Sequence, residues 1–127
     1  MNLEKVAFGF FLILALTLNV GFVIGDIDNP AHHPVAEFFF VVVVNIIATI
    51  LKLGDRSQIG ALLLATSLVA VLQLVVAAVI WTWAVHVTDV GMTPDTMVDI
   101  VSLASGALVA NVVSVTVLVA ETLMLRR

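Results

Sequence analysis

The feature that most constrains this chain is a series of four long apolar blocks, each about as long as the hydrocarbon core of a bilayer requires. The blocks cover about residues 6–24, 35–53, 59–85 and 100–125, and short polar segments separate them. Helices satisfy their backbone hydrogen bonds internally, which is what lipid-exposed backbone needs. The pattern therefore predicts an all-α, polytopic membrane protein whose four transmembrane helices form one bundle over residues 1–127.

The composition supports a membrane protein and argues against several other classes. Of the 127 residues, 62% are hydrophobic and 11% are charged, which is more apolar side chain than a soluble core of this size buries. The lipid bilayer is therefore the predicted partner. The absence of cysteine excludes Cys-ligated metals and thiolate nucleophiles. A net charge of −4 without a basic stripe argues against nucleic acid as a partner.

The cations are distributed on one side of the predicted membrane, and this distribution predicts the orientation. Lys and Arg stay on the cytoplasmic side during insertion, so both termini are predicted to be cytoplasmic. Five cations fall at that face, and six acids fall at the opposite face: Lys5, Lys52, Arg56, Arg126 and Arg127 against Asp26, Asp28, Glu37, Asp89, Asp95 and Asp99. So one-sided a distribution argues against dual topology, and it favours a parallel arrangement in any homo-oligomer.

Each apolar block carries one carboxamide side chain: Asn19, Asn45, Gln73 and Asn111. One interpretation is that these amides form interhelical hydrogen bonds that fix the bundle. The other is that they form a polar ring around a pathway, where they replace part of the hydration shell of a passing ion. The sequence alone leaves both interpretations open.

Small residues recur every four positions on two of the predicted helices. They are Thr17, Gly21 and Gly25 on the first helix, and Ser102, Gly106, Ala110 and Ser114 on the fourth. Residues with this spacing lie on one helix face, and small side chains let two helix backbones approach closely. We expect these faces to be packing surfaces, either within one chain or between chains.

Two further polar features are candidates for ion handling. Glu121 is an acid inside the fourth span, expected either to pair with a nearby Lys or Arg at the inner boundary or to handle an ion or proton. The predicted outer loop contains acids and imidazoles within a few residues. It is interpreted as a solvated loop, as a cation-attracting mouth or as a metal site. Its members are Asp26, Asp28, His32, His33 and Glu37.

No motif in the sequence indicates catalysis or a bound cofactor. A phosphate-binding glycine loop, a zinc-protease helix and a Ser/His/Asp set at usable spacing are all missing from the 127 residues. We therefore expect no catalytic residue, no metal centre and no cofactor, and we expect that the protein is not an enzyme.

Four stretches of the sequence carry a resemblance to a known group of proteins: MNLEKV at the start, GDIDNPAHH from residue 25, LKLGDRSQIGA from residue 51 and ETLMLRR from residue 121. Together they resemble an uncharacterised family of short, four-helix proteobacterial inner-membrane proteins. The resemblance implies the bacterial inner membrane as location, and it implies no activity. The preferred hypothesis is a protein concerned with ion movement, as a homo-oligomeric pore or as an accessory subunit of a larger cation channel or transporter. The alternative is a structural or scaffolding membrane protein that conducts nothing.

Overall fold

The fold is known from a computed structural model that describes residues 2–125, with the side chain of Leu125 outside that description. Its α-helices are α1 (Leu3–Val23), α2 (Val35–Lys52), α3 (Gln58–His86) and α4 (Pro94–Leu125), and a short 3₁₀ helix covers Pro30–His32. The described residues contain no β-strand. Each α-helix is long and apolar enough to cross a membrane, which confirms the all-α fold with four candidate spans.

Capping residues fix where the helices begin. The Asn2 side chain accepts a hydrogen bond from the Glu4 amide at 3.0 Å at the start of α1, and the Ser57 hydroxyl accepts one from the Gly60 amide at 2.9 Å at the start of α3. The Thr93 hydroxyl does the same for the Thr96 amide, which places Pro94 at the first position of α4. The helix α4 is therefore longer than its apolar block.

The four helices pack as a ring in which sequence neighbours are also spatial neighbours. The helix α1 packs against α2 and α4, and α3 packs against the same two helices, with the most extensive contact between α3 and α4. Because the connections are short, adjacent helices run antiparallel. The outside of the bundle carries large exposed apolar side chains, which is the arrangement that suits lipid. Examples are Phe10, Phe40, Leu72, Val79 and Trp83.

Charged side chains separate to the two ends of this bundle. We call the end with Lys5, Lys52 and Arg56 the basic end, and the end with Asp26, Asp28, Glu37, Asp89 and Asp95 the acidic end. The described cations thus lie together, as the sequence predicts. Arg126 and Arg127, which also contribute to the orientation prediction, lie outside the described residues.

Candidate functional site: a polar layer inside the bundle

The interior of the bundle is formed by one buried stripe on each helix, with members spaced three or four residues apart. This spacing is the one by which helices pack at shallow angles, both in water and in membranes. The stripe of α1 shows the pattern and includes one of the predicted amides: Phe8, Leu12, Ala15, Asn19 and Phe22. The stripe positions of α2 and α4 include Asn45 and Asn111 in the same way.

Polar side chains interrupt an otherwise apolar interior. An acidic-end cluster contains Phe22, Phe38, Val41, Leu74 and Ile100, and a smaller basic-end cluster contains Phe8, Leu12, Ala48 and Leu63. On α1, α2 and α3, polar residues lie between members of the two clusters. On α4, polar residues follow Ala110, the last member of the acidic-end cluster, and Gln73 of α3 lies among the members of that cluster. We call this set the polar layer: Asn19, Asn45, Thr66, Ser67, Gln73, Asn111 and Ser114.

Some groups of the polar layer join helices by hydrogen bonds. The Asn19 side-chain amide donates to the Ala104 carbonyl at 3.0 Å and so links α1 to α4. The hydroxyls of Thr66 and Ser114 share a hydrogen bond that links α3 to α4. The Asn45 amide instead donates to the Val41 carbonyl of its own helix, at 2.8 Å. These bonds support the structural interpretation for part of the layer.

Other atoms of the polar layer are buried and have no hydrogen-bond partner among the described residues. They are Asn19 Oδ1, Ser67 Oγ, Gln73 Oε1 and Asn111 Nδ2. A buried polar atom without a partner destabilises a protein by about 1–3 kcal/mol, and native structures contain few of them. Three of the four are oxygens, which are the atoms that coordinate alkali cations and accept hydrogen bonds from water. The four atoms lie on three helices, α1, α3 and α4, and each has a hydrogen-bonding position open.

Gln73 explains why α4 has a glycine at the height of the layer. A Cβ atom built on Gly106 would lie 2.5 Å from Gln73 Nε2 and 3.0 Å from its Oε1, so the amide occupies the space that a side chain would need. The predicted small-residue face of α4 is thus used against α3 within one chain, since Ala110 and Ser114 are also buried. Ser102 differs from the prediction, because α4 turns it outward and leaves it exposed.

The small residues of α1 have no such neighbour. Thr17 and Gly21 are exposed, and a Cβ atom on Gly21 would meet nothing within 4 Å among the described residues. Gly25 does not share their helix face as predicted, because α1 ends at Val23 and Gly25 has a φ of +109° in the following turn.

The basic end contains an open cavity of about 380 Å³ between the start of α1 and the end of α2. Lys52 Nζ lies 3.2 Å from Asp55 Oδ2 and 4.3 Å from the centre of the Phe8 ring. Lys5 Nζ lies 3.8 Å from Glu121 Oε1, so the structural interpretation of Glu121 has a geometric basis. Hydrogen bonds from the amide and hydroxyl of Ser57, together with Lys52, lower the pKa of Asp55 to about 2.

The predicted outer mouth divides into exposed and buried parts. Asp26, Asp28, His32 and Glu37 are exposed, but His33 is fully buried, which corrects the expectation of a uniformly solvated loop. The helix α2 begins only at Val35, so His33 and Glu37 do not share a helix face. Within residues 2–125, no group of three His, Asp or Glu side chains is arranged to hold a metal ion.

Thr66 and Ser67 are the members of the polar layer that sequence reasoning missed. A signal for the inward face of α3 exists, because small residues repeat there at seven-residue intervals, as the buried stripe of a bundle helix does. The repeats are Gly60 with Ser67, and Ala70 with Ala77 and Ala84. A hydroxyl on this stripe is therefore expected to face the interior.

Comparison with known proteins gives one match. A model for a family of unknown function, DUF6394, matches residues 32–122, which is more than half of the chain. The match supports the expected resemblance to an uncharacterised family over α2, α3 and most of α4. The opening residues 1–31 and the last five residues lie outside it. No curated protein and no solved structure matches the chain.

Proposed function

Since the chain belongs to DUF6394, a family of unknown function, we propose its role from its own geometry: it is concerned with ion movement, as an accessory subunit of a larger cation channel or transporter. The observation that carries this proposal is the polar layer with its unpaired buried atoms. Replacing such atoms by apolar side chains would stabilise the bundle, so their presence favours a role in binding water or a small cation.

The position of the polar layer favours an accessory subunit over a pore of its own. Phe22, Phe38 and Trp81 pack together at the acidic end, with Phe38 and Trp81 stacked at 5.2 Å between ring centres. An apolar plug of this kind keeps a path dry, and a dry path conducts poorly. Asn19, Asn45 and Asn111 are buried inside one bundle, so they would not line an axis shared between subunits.

The remaining parts of the proposal concern location and assembly. We propose a bacterial inner-membrane protein with both termini in the cytoplasm, because the cations lie at the end where the chain starts and where α4 finishes. The large apolar exterior would be covered by lipid and by either a larger membrane protein or parallel copies of this chain. We also propose that the protein has no catalytic activity of its own.

Purification in mild detergent from native membranes, with identification of what comes with the protein, is the first test. A co-purifying cation channel or transporter is the expected result. The isolated complex and the isolated chain would then each be reconstituted into vesicles, and fluxes of K⁺, Na⁺ and protons would be measured. A chain without a partner that conducts by itself would overturn the accessory role and favour the pore.

A triple substitution then asks whether the polar layer matters for flux. Asn45, Gln73 and Asn111 would be changed together to leucine, and we expect cation flux through the complex to fall at least about tenfold, because the variant loses the bound water or small cation through which the subunit is proposed to act on its partner. The matched control changes three hydroxyls that face outward and bond only to their own helices, Thr17, Thr82 and Thr116, to valine. Unchanged flux in the leucine variant, or no flux and no partner for the wild type, would favour the scaffolding alternative.

A further inference from the structure

His33 lies inside the connection between α1 and α2, with both of its ring nitrogens against main-chain carbonyl oxygens. Nδ1 is 2.6 Å from the Phe22 oxygen, and Nε2 is 2.8 Å from the Asp26 oxygen. The side chain has no solvent exposure. The imidazole therefore bridges the last turn of α1 and the loop that follows it.

The chemistry of this bridge depends on the number of protons on the ring. A carbonyl oxygen only accepts hydrogen bonds, and a neutral imidazole has one N–H group and one lone pair. In the neutral form, one of the two contacts would set a nitrogen lone pair against a carbonyl oxygen. The imidazolium donates to both oxygens, and hydrogen bonds from a charged donor are the stronger ones.

The bridge also lies at a helix end where a cation is favourable. The Phe22 carbonyl belongs to the last turn of α1, where carbonyl groups lack partners within the helix. The partial negative charge of a helix C-terminus attracts a cationic side chain. Two independent features, the pair of acceptors and the helix end, thus favour the protonated ring and oppose the effect of burial, which disfavours a charge.

We propose that His33 is a proton-binding site, at which the imidazolium closes the α1–α2 loop and loss of the proton opens it. The proposal does not depend on a role in ion movement. The direction of the pH dependence follows from the contacts. The closed loop binds one more proton than the open loop, so closure is favoured at lower pH and lost as pH rises.

The other titratable groups near His33 do not supply an alternative partner. His32 acts in the opposite sense, because its Nδ1 accepts a hydrogen bond from the Asp26 amide at 2.8 Å and needs its lone pair to do so. The last turn of α1 carries no titratable side chain. The remaining titratable side chains at this end of the bundle are exposed: Asp26, Asp28, Glu37, His86, Asp89, Asp95 and Asp99.

Opening of this loop would disturb the apolar plug formed by Phe22, Phe38 and Trp81. The Phe22 ring lies edge-on to the His33 ring with 5.5 Å between the ring centres, and it also packs on Phe38, which stacks on Trp81. Release of the Phe22 carbonyl would free the last turn of α1, which holds that ring in place. Proton binding at His33 is therefore coupled to packing at the acidic end of the bundle.

The protonation state is measured directly by nitrogen NMR of the full-length protein in lipid nanodiscs with ¹⁵N-labelled histidine. Signals are assigned by comparison with the variants His32→Gln and His86→Gln, and the wild-type protein is titrated over about pH 5 to 8, the range in which imidazoles change charge. We expect both nitrogens of His33 to be protonated when the loop is closed. A neutral His33 with a closed loop across this range would overturn the proposal.

Hydrogen exchange of the amides of residues 25–33 gives the linked conformational readout. We expect protection, after correction for the intrinsic rate, to fall by at least about tenfold as His33 loses its proton, because a charge-assisted hydrogen bond is lost. The variant His33→Gln has no titratable ring and carries its N–H groups on a single nitrogen, so its loop should be less protected and its protection should not follow an imidazole titration. Protection that is independent of pH in the wild type would contradict the coupling.

Trp81 fluorescence provides a third readout that does not require the His33 variant to fold. In a Trp83→Phe protein, which removes the exposed indole, the emission of Trp81 should change with the same midpoint as the His33 nitrogen signals. A change in Trp81 that follows His32 instead of His33 would reject His33 as the proton-binding site.

Discussion

Replacing Gly106 by alanine tests the packing of the polar layer most directly. The new Cβ atom would lie 2.5 Å from Gln73 Nε2 and 3.0 Å from its Cδ, which is well inside normal contact distance. Overpacking of this kind usually destabilises by about 1–3 kcal/mol. Because Gln73 has a flexible, half-buried side chain that can shift, we expect the packing cost to lie at the lower end of this range, about 1 kcal/mol.

The matched control is the same substitution at Gly21 in α1. A Cβ atom there meets nothing within 4 Å among the described residues, so Gly21→Ala changes helix propensity without changing contacts. The difference between the two variants therefore isolates the effect of the Gln73 side chain. Both free energies of unfolding are measurable by adding SDS to the protein in mixed micelles, with tryptophan fluorescence as the signal.

A double-mutant cycle decides whether the cost arises from Gln73. In a Gln73→Ala background the amide is gone, so Gly106→Ala should lose its packing cost and keep only the gain in helix propensity that Gly21→Ala shows. The coupling energy should reach about 1 kcal/mol, inside the range of 0.5–3 kcal/mol for residues in contact. Additive effects within about 0.3 kcal/mol would refute the packing of Gln73 on α4. Gly106→Leu should for the same reason disrupt the bundle more than Leu108→Ala, which removes part of a half-buried side chain.

Two further predictions concern the ends of the bundle. The pKa of Asp55 is lowered to about 2 from 3.8, so its stabilisation of the α2–α3 turn is complete above the unfolded value and lost as pH falls towards 2. Hydrogen exchange of the turn should show this loss in the wild type, whereas Asp55→Asn should show none. For the orientation, alkaline phosphatase fused after Asp28 should be active and fused after Arg127 inactive. The reverse result would exclude cytoplasmic termini.

The helices and their boundaries could be predicted because their causes are local. A block of apolar residues as long as a bilayer needs a helix, and a cap such as Ser57 or Thr93 acts on amides only three residues away. Such signals are complete within one stretch of sequence. The start of α4 is a signal of the same kind, because a capping threonine followed by proline marks Pro94 as the first helical position, ahead of the apolar block.

The directions of the polar side chains could not be predicted in the same way. The helices are apolar around most of their circumference, so hydrophobicity does not distinguish the lipid-facing side from the interior. Asn19 and Thr17 lie two positions apart and therefore on opposite sides of α1, and the sequence does not show that the Asn19 side is the buried one. The difference comes from which neighbours the ring of four helices provides.

The position of His33 depends on a contact between two segments and therefore could not be read from its neighbours in sequence. A loop with two prolines, two aspartates and two histidines looks solvated, and most of it is. His33 is buried because the turn at Gly25 brings the loop back over the end of α1, where the Phe22 carbonyl lacks a helical partner. A side chain on Gly25 would collide with the His32 ring, so glycine is needed for this return.

The polar layer and the His33 bridge have in common that each is a poor choice for stability alone. Leucines in place of the layer's amides would remove the unpaired atoms, and an apolar residue in place of His33 would avoid burying a polar ring. Local departures of this kind concentrate at functional sites. Phe22 contacts the His33 ring and also belongs to the acidic-end cluster. Ala104 belongs to the same cluster, and its carbonyl accepts the hydrogen bond from Asn19. Packed side chains thus connect the loop with the polar layer, and the coupling energy of a double-mutant cycle between His33 and Asn19 measures whether protonation at the loop acts on the layer.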